Sequence, residues 1–270
     1  MNIAVKIGGA QLEDAGARAG LATALAAARA DGHRLVVVHG GGNQIRALSK
    51  RLGIPDSYHD GLRVTDAATA QVATQVLAGE VNKSLVDSLN RGGVPAVGLC
   101  GADGGLFHAA RHAPDGVDLG YVGQVHAVDG RLVAALHDAG FVPVIATMAP
   151  LAPGLPGPDE HLYNVNADHA AGPLAAALGC DALLFLTDVP GVLDAERRLL
   201  PSLTAADCAA LRAAGTLHGG MIPKVEAALG ALAALPAGLV KIAPADGTDA
   251  VRRALDADTG TCFRASDEPS

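Results

Sequence analysis

Several lysines and glycines of the sequence stand in combinations that suit the handling of phosphate groups. Lys6 comes two residues before the first glycine of the pair Gly8-Gly9, and Lys224 comes four residues after the pair 219–220. Glycine lets a backbone amide approach an anion closely, and an ammonium group supplies the opposite charge. Each turn alone is equally well explained as an ordinary tight turn, so the interpretation depends on the combination.

A run of three glycines, 40–42, follows a predicted strand and precedes a predicted helix. Its amides and the N-terminal donors of the helix would face an anion together. Two such turns after neighbouring parallel strands meet at the carboxyl edge of the sheet, where open α/β folds bind ligands. Neither turn matches the P-loop or the dinucleotide-binding pattern, which leaves the kind of phosphate ligand open.

The segment Asn164-Val165-Asn166-Ala167-Asp168 leads into an apolar helix. Asn166 is a suitable N-cap for that helix, which explains one of the polar residues without any function. Asn164 and Asp168 have no such explanation, so both are candidates for a site. Lys224 is unusual in another way, because it stands near the start of a helix, where the helix dipole disfavours a positive charge.

The composition excludes several classes of protein. The chain has 270 residues and a net charge of −8, with 3% aromatic residues and no tryptophan, which argues against a nucleic-acid partner. The longest apolar stretch, 174–193, contains Asp181 and Asp188 and is unsuitable as a membrane span. Four widely spaced cysteines favour a reducing compartment over disulfides or a zinc site, so we expect a soluble cytoplasmic protein.

Apolar runs rich in valine, isoleucine and leucine alternate with alanine-rich stretches of helical periodicity. The pattern predicts a parallel sheet that is covered by helices on both faces. The predicted strands are 3–7, 35–39, 94–99, 142–146, 182–187 and 239–242. The predicted helices are 14–31, 43–52, 65–77, 81–91, 131–139, 167–178, 205–213 and 221–234.

Three other segments have less direct interpretations. Residues 120–131 alternate in character and end in a tight-turn signal, which predicts a strand pair or a strand with a turn at the rim of a site. The proline-rich stretch 150–158 predicts a surface loop. His108 and His112 have the spacing of a helical metal site but no third ligand, so we interpret them as part of a solvated loop and assign no metal-binding residue.

Seven stretches, in this order along the chain, resemble the motifs of the amino acid kinase family. They span residues 6–224, and weaker similarity continues to Gly260-Thr261. Within that family they are most similar to the branch that phosphorylates N-acetyl-L-glutamate. The stretches are Lys6-Ile7-Gly8-Gly9, His39-Gly40-Gly41-Gly42, Gly61-Leu62-Arg63-Val64-Thr65-Asp66, Gly79-Glu80-Val81-Asn82-Lys83, Asn164-Val165-Asn166-Ala167-Asp168, Leu186-Thr187-Asp188-Val189-Pro190-Gly191-Val192-Leu193 and Gly219-Gly220-Met221-Ile222-Pro223-Lys224.

This resemblance implies the transfer of a phosphoryl group from ATP to the side-chain carboxylate of N-acetyl-L-glutamate in arginine biosynthesis, with Mg²⁺ bridging the phosphates. It implies that Lys6 and Lys224 flank the transferring group and that Asp168 holds both ammonium groups in place. Because the acceptor is already a carboxylate at neutral pH, the reaction needs no general base.

The resemblance also implies which residues bind the two substrates. Amides of Gly8 and Gly9 would bind the migrating phosphoryl group, and those of Gly41 and Gly42 the acceptor. Arg63 would pair with a carboxylate of the acceptor, since its planar fork suits bidentate pairing. Asn164 would contact the acetamido group or the carboxylate of the same substrate. The residues implied for nucleotide binding are Asp188, Gly191, Leu193, Thr216 and Met221.

The fold implied by the resemblance is a three-layer αβα sandwich around a mostly parallel central sheet, in a single domain of residues 1–270. Residues 1–178 would form the acceptor-binding lobe, 179–264 the ATP-binding lobe and 265–270 a tail. Arginine-inhibited relatives carry an additional helix before the first strand, and here five residues precede Lys6, so we expect an arginine-insensitive homodimer.

Two alternatives remain open from the sequence. Ala10-Gln11 after the first glycine turn also suits the related kinases of carrier-protein-linked aminoadipate in lysine biosynthesis, although a net charge of −8 is a poor match to an acidic carrier protein. The other alternative is a non-catalytic relative that binds nucleotide. Such a protein would have little reason to retain Lys6, Asp168 and Lys224 together.

Overall fold

The computed structural model describes residues 1–218 and 220–265. The strands are β1 (Asn2–Ile7), β2 (Arg34–His39), β3 (Tyr58–His59), β4 (Leu62–Arg63), β5 (Ala96–Cys100), β6 (Phe107–Arg111), β7 (Val122–Val128), β8 (Val142–Ala146), β9 (Met148–Ala149), β10 (Tyr163–Val165), β11 (Ala182–Thr187), β12 (Ser202–Leu203), β13 (Leu239–Pro244) and β14 (Thr261–Phe263). The α-helices are α1 (Ala10–Glu13), α2 (Ala15–Ala30), α3 (Gly42–Leu52), α4 (Ala67–Thr74), α5 (Asn82–Arg91), α6 (Arg131–Asp138), α7 (Ala167–Ala177), α8 (Ala205–Ala213), α9 (Met221–Ala234) and α10 (Ala250–Leu255). The predicted tail 265–270 lies outside the described residues from position 266 onward, as does position 219.

Eight strands in the described part of the chain form the central sheet, in the order β12-β14-β13-β11-β1-β2-β8-β5. Neighbouring strands are parallel except β13 and β14, which are antiparallel. The predicted mostly parallel sheet is therefore confirmed, and all six predicted strands belong to it. Because β1 lies between β11 and β2, the turns that follow these strands open at the same edge.

Alternate residues of β1 point into two hydrophobic cores, one on each face of the sheet. Ile3, Val5 and Ile7 pack in a core with residues of α2, α3 and α5. Ala4 packs in the other core with residues of α7 and α9. The chain is thus a three-layer αβα sandwich, as the sequence predicts.

A second, four-stranded sheet has the order β6-β7-β10-β9. Its strand β7 lies in the alternating segment 120–131 and is followed by a turn at Gly130, so of the two predicted alternatives the strand with a turn is the one observed. Its antiparallel partner β6 lies outside that segment. The prediction of a solvated loop is wrong for His108, which lies on β6, whereas His112 follows that strand. The sequence of β6, Phe-His-Ala-Ala-Arg, has little strand propensity of its own. Its pairing with β7 is what makes it a strand.

The helical region between 67 and 91 is continuous, whereas the sequence predicts a break near residues 78–80. A π-helical turn, Gln75–Val81, joins α4 to α5. Such turns accommodate one extra residue and occur frequently at functional sites. This turn packs against the glycine run, since a Cβ atom at Gly41 would lie 2.8 Å from Leu77 Cδ2 and 3.3 Å from Val81 Cγ2.

The stretch 150–158 runs through turns and contains no helix, as predicted. It is fixed to β6 by two backbone hydrogen bonds of 2.8 Å, in which Ala109 N donates to Pro150 O and Ala152 N donates to Ala109 O. Among residues 1–218 and 220–265, no helix combines the length and the apolar character that crossing a bilayer requires.

Candidate active site

A cavity of about 350 Å³ opens where the turns after β1 and β2 meet. The pair Gly8-Gly9 follows β1, the run 40–42 follows β2 and Thr147 follows β8, so three neighbouring parallel strands contribute to its lining. The charged side chains that line it are Lys6, Arg46, Arg63, Lys224 and Asp168. Four cations against one carboxylate indicate a site for an anion, and we call it the cationic cavity.

One carboxylate in this cavity binds two ammonium groups. Asp168 Oδ1 lies 2.6 Å from Lys6 Nζ, and Asp168 Oδ2 lies 3.9 Å from Lys224 Nζ. The Lys6 side chain is 7% exposed and that of Lys224 is 26% exposed. The structure therefore brings together the three residues predicted to be catalytic, with Lys6 held tightly and Lys224 held loosely.

Three elements place these charges side by side. Lys6 is in β1, Asp168 is in the first turn of α7, and Lys224 is in the first turn of α9. The side chain of Asn166 caps α7 by accepting the Asp168 N–H at 2.9 Å, so the predicted N-cap is confirmed. Gly172 lets α7 and α9 approach closely, because a Cβ atom there would lie 2.7 Å from Ala231 Cα.

The ion pairs shift the protonation equilibria of the buried partners. Burial raises the pKa of the Asp168 carboxyl, but the charges of Lys6 and Lys224 outweigh burial and hold that pKa below its usual value. Burial lowers the pKa of the Lys6 ammonium group; Asp168 opposes this shift and Lys224 adds to it. Asp168 is therefore ionised at neutral pH and neutralises part of the positive charge around it.

Arg63 is buried at the end of the β3–β4 hairpin and is already paired. Its Nη1 atom donates to Asp56 Oδ1, and its Nη2 atom donates to Gly42 O at 2.9 Å. The Tyr58 ring lies 4.8 Å from the guanidinium carbon. Burial, and to a lesser extent Arg46, lower the pKa of Arg63 to about 10, so the group stays charged at neutral pH.

Glycine stands at several positions of the cavity because of its backbone conformation or because a side chain has no room there. Gly9 has φ of +55°, in the left-handed region that favours glycine. A Cβ atom at Gly8 would lie 3.3 Å from Lys6 Nζ and would crowd the ammonium group, and one at Gly41 would overlap Leu77. Gly42 begins α3, so its backbone amide belongs to the free donors of a helix N-terminus.

Asn164, the remaining residue predicted to bind the acceptor, also lines the cationic cavity. It lies on β10, and its Nδ2 atom is 3.5 Å from Thr65 Oγ1. Sequence reasoning missed Arg46, Thr147 and Tyr58, which line the same cavity. Arg46 follows the glycine run by one helical turn, a spacing that is visible in the sequence; Thr147 and Tyr58 give no such signal.

A second cavity, of about 750 Å³, lies on the other side of Lys224. All five residues predicted to bind nucleotide line it: Asp188, Gly191, Leu193, Thr216 and Met221. We call it the loop cavity, because the loops 187–197 and 214–220 provide most of its described lining. Lys224 lines both cavities, so a group bound in one can reach the other beside its ammonium group.

The wall of the loop cavity depends on Gly191. This residue has φ of +145°, and a Cβ atom there would lie 2.6 Å from Leu199 Cδ1 and 2.7 Å from Thr261 Oγ1. The Thr261 hydroxyl accepts the Val192 N–H at 2.8 Å and donates to Leu200 O at 2.7 Å. One buried hydroxyl thus fixes both sides of the loop, and no larger residue fits at 191.

Within the residues that the structure describes, no group of three or more His, Cys, Asp or Glu side chains is placed to hold a metal ion. Asp188 lines the loop cavity, and its Oδ1 atom accepts a 3.0 Å hydrogen bond from the Thr187 hydroxyl. Asp168 is occupied by Lys6 and Lys224. The strongest anion-binding features are therefore the lysines and the glycine amides.

Comparison with known proteins gives consistent matches. The model of the amino acid kinase family matches residues 1–237. The acetylglutamate kinase of Granulibacter bethesdensis is 46% identical over an alignment that covers 85% of this chain and 78% of that protein. The acetylglutamate kinase of Acidiphilium cryptum is 50% identical over an alignment that covers 73% of this chain and 67% of that protein.

Solved structures extend the likeness to the fold. The carbamate kinase of Giardia lamblia bound to AMP-PNP superimposes with a TM-score of 0.69, over 98% of each chain and at 16% identity. At that identity the likeness concerns the fold alone. It agrees with the three-layer arrangement described above.

Proposed function

The chain belongs to the amino acid kinase family, and we propose that it is an ATP-dependent kinase of N-acetyl-L-glutamate, which it converts to N-acetyl-L-glutamyl 5-phosphate. The observation that carries the proposal is the junction of the two cavities. A cationic cavity sized for a small anion meets a larger, more apolar cavity at Lys224. The acetylglutamate kinases that match this chain at 43 to 50% identity support this acceptor.

N-acetyl-L-glutamate carries two carboxylates, and the cationic cavity has separate groups for each. The side-chain carboxylate would lie at the glycine turns beside Lys6, where the reaction occurs. The α-carboxylate would pair with Arg63, whose contact with Asp56 must then open or be shared. Asn164 provides an amide that would bind the acetamido group of the acceptor. This group is neutral, and free glutamate lacks it.

The reaction is a displacement at the γ-phosphorus of ATP. A carboxylate oxygen of the acceptor forms a bond to phosphorus, the bond from phosphorus to the β,γ-bridging oxygen breaks, and ADP leaves with that electron pair. No proton needs to be removed from the acceptor. Catalysis therefore consists of positioning and charge stabilisation, which suits a site built from two lysines and preorganised amides.

Each member of the charged group has a distinct part in that displacement. The Lys6 ammonium group and the amides of Gly8 and Gly9 would stabilise the equatorial oxygens of the transferring phosphoryl group. The Lys224 ammonium group, at the junction, would stabilise the developing charge on the ADP side. Asp168 keeps the two ammonium groups in place and offsets their mutual repulsion.

ATP would occupy the loop cavity, with its base among apolar side chains such as Leu193 and Met221. Mg²⁺ would arrive as part of the ATP substrate, with phosphate oxygens and water as its ligands. We also propose that the product enters arginine biosynthesis and that the reaction takes place in the cytoplasm. We further propose that the active form is a homodimer, which sedimentation or light scattering of the purified protein measures directly.

A hydroxamate assay with Mg-ATP tests the function, because hydroxylamine traps the acyl phosphate. Three acceptors are compared: N-acetyl-L-glutamate, free L-glutamate and an aminoadipate-carrier conjugate. Turnover confined to N-acetyl-L-glutamate is the expected result. Turnover with the carrier conjugate alone would transfer the chain to lysine biosynthesis, and no turnover with any acceptor would favour a non-catalytic nucleotide-binding protein.

A further inference from the structure

A buried polar network lies directly behind the glycine run and involves no residue assigned a role above. His39 is fully buried at the end of β2, and its Nδ1 atom is 2.9 Å from Gly40 O. Its Nε2 atom is 3.0 Å from Asn82 Nδ2, and Asn82 is also fully buried, at the start of α5. The network therefore connects the π-helical region to the wall of the cationic cavity.

The partners of Asn82 fix the orientation of its amide. The Nδ2 atom donates to Val144 O at 3.0 Å, and the Oδ1 atom accepts from Lys83 Nζ at 3.0 Å. Lys83 Nζ also donates to Gly98 O at 3.2 Å. A flipped amide would place oxygen against a carbonyl and nitrogen against an ammonium group, so only the observed orientation satisfies all partners.

That orientation fixes the tautomer of His39. Since Asn82 Nδ2 is a donor, His39 Nε2 must accept, and the ring proton must be on Nδ1, where it donates to Gly40 O. Burial lowers the pKa of His39 to about 4. The hydrogen bond to Gly40 opposes this shift, and the charge of Lys83 adds to it. The ring is therefore neutral at physiological pH, with one defined N–H group.

The hydrogen bond between His39 and Gly40 O also fixes the direction of the next backbone N–H group, that of Gly41. In a trans peptide the C=O and N–H groups of one plane point in opposite directions. Because His39 holds Gly40 O, the N–H of Gly41 must point away from the imidazole ring. The glycines of the run line the cationic cavity, whereas His39 does not. Leu77 and Val81 pack against Gly41 and oppose rotation of this plane.

We propose that Asn82 and His39 are positioning residues that aim the Gly41 amide at the bound acceptor. The proposal rests on the proposed function, because it assigns that amide to the carboxyl group that receives phosphate. Lys83 and Gly98 complete the network, because Lys83 Nζ donates to both Asn82 Oδ1 and Gly98 O. A side chain at Gly98 has no room, since its Cβ atom would lie 1.8 Å from Asn82 Oδ1.

Asn82→Ala and Asn82→Asp test the proposal, with Asn90→Ala as the matched control. Asn90 is on the same helix and its amide also bonds a neighbouring strand, through Ala96 N and Ala96 O at 3.1 Å. Its side chain bonds Val86 O and Ala96, whereas that of Asn82 contacts His39. We expect Asn82→Ala to lower kcat about tenfold to hundredfold, to raise KM for the acceptor and to leave KM for ATP unchanged. Asn90→Ala should change none of these constants.

The isosteric variant Asn82→Asp adds a pH readout to the result for Asn82→Ala, and its new oxygen also faces Val144 O. The new carboxylate faces His39 Nε2 and raises the pKa of the ring, so a protonated ring can donate to both the carboxylate and Gly40 O. Activity of this variant should be highest below that raised pKa and should decline as pH increases through it. The neutral wild-type ring gives no such decline, because its network is lost only as pH falls through about 4.

Nitrogen NMR measures the tautomer in the wild-type protein itself, and the histidine signal that is lost in His39→Gln is assigned to His39. The proposal requires a neutral ring with the proton on Nδ1 at pH 7, and a proton on Nε2 would overturn it. Unchanged kcat and acceptor KM in folded Asn82→Ala would also overturn it. If the wild type fails to phosphorylate N-acetyl-L-glutamate, the proposed function fails, and the tautomer is still decided by the NMR measurement.

Discussion

At the scale of single residues, the asymmetry around Asp168 is the most informative feature. Its contact with Lys6 is 1.3 Å shorter than its contact with Lys224, 2.6 Å against 3.9 Å. Lys6 is also the more buried of the two. A lysine held at hydrogen-bond distance in a buried site is preorganised, whereas a looser and more exposed lysine can follow a phosphate that moves.

We predict that Lys6→Ala and Lys224→Ala each lower kcat by about a hundredfold to a thousandfold, the usual effect of removing one preorganised donor to a transition state. Asp168→Asn should have an effect of similar size, because it leaves two neighbouring ammonium groups without a counter-charge. Steady-state release of ADP, measured at saturating substrates, checks the three variants.

Thermal unfolding of the same three variants separates catalysis from folding. Lys6→Ala and Lys224→Ala should retain the wild-type fold with modest changes in Tm. A large loss of Tm together with normal kcat at low temperature would contradict the catalytic assignment and would leave a structural role for the charged group.

We predict that Arg63→Ala acts mainly on acceptor binding. Loss of a charge-assisted hydrogen bond to a carboxylate costs about 1.5 to 3 kcal/mol, so KM for N-acetyl-L-glutamate should rise about tenfold to hundredfold. The value of kcat at saturating acceptor should change much less, since Arg63 is expected to bind the non-reacting carboxylate. Initial-rate measurements over a wide range of acceptor concentrations check this, and a kcat effect without a KM effect would contradict it.

Type and spacing single out Lys6, Asp168 and Lys224, and the family resemblance adds Arg63, but neither finds the neighbours of these residues. Arg63 is a candidate through the motif 61–66 that resembles the kinase family, whereas its pairing with Asp56 depends on how the β3–β4 hairpin folds back. Thr147 has no local signal at all, because its place in the cavity follows only from the pairing of β8 with β2. Spacing predicts a residue's element, and tertiary packing selects its partners.

At the scale of elements, the close approach of α7 and α9 sets the distance between Asp168 and Lys224. The contact depends on Gly172, because a Cβ atom there would lie 2.9 Å from Ala231 Cβ. Gly230, in α9, has open space around its Cβ position. The two glycines therefore form a natural pair for comparison.

We predict opposite effects for Gly172→Ala and Gly230→Ala. Gly230→Ala should increase the free energy of unfolding by about 0.5 to 1 kcal/mol, because alanine is the better helix former and fits without strain. Gly172→Ala should decrease it by about 1 to 3 kcal/mol through overpacking, and should lower kcat by moving α9 away from α7. Denaturant unfolding at constant m-value, followed by rate measurements, tests both. Equal effects of the two substitutions would contradict the packing account.

Most elements follow from sequence periodicity, and the exceptions have physical reasons. The central strands are continuous apolar runs that only a doubly covered parallel sheet accommodates. The π-helical turn Gln75–Val81 was not foreseeable, because Gly79-Glu80 weakens the helical pattern while packing against the glycine run maintains the helix. Strand β6 was missed because β7 stabilises it from outside its own sequence.

At the scale of the whole molecule, the two cavities are lined by different parts of the chain. The cationic cavity is lined by residues numbered up to 168 together with Lys224, and the described lining of the loop cavity lies between 187 and 224. We propose on this basis that residues 1–178 bind the acceptor and 179–264 bind ATP. Lys224 then belongs to the ATP lobe and extends into the acceptor site.

This division predicts that the two substrates stabilise the protein separately. A ligand present at a hundred times its Kd adds about 2.7 kcal/mol to the free energy of unfolding, which corresponds to an increase in Tm of about 5 to 10 °C for a chain of this size. Arg63→Ala should reduce the shift caused by N-acetyl-L-glutamate and leave that of Mg-ADP intact. Gly191→Ala should do the reverse, because its Cβ atom collides with the loop that shapes the nucleotide cavity. Thermal-shift titrations of both variants with both ligands test this prediction. A substitution in one cavity that abolishes both shifts would contradict the division into lobes and would indicate one cooperative site.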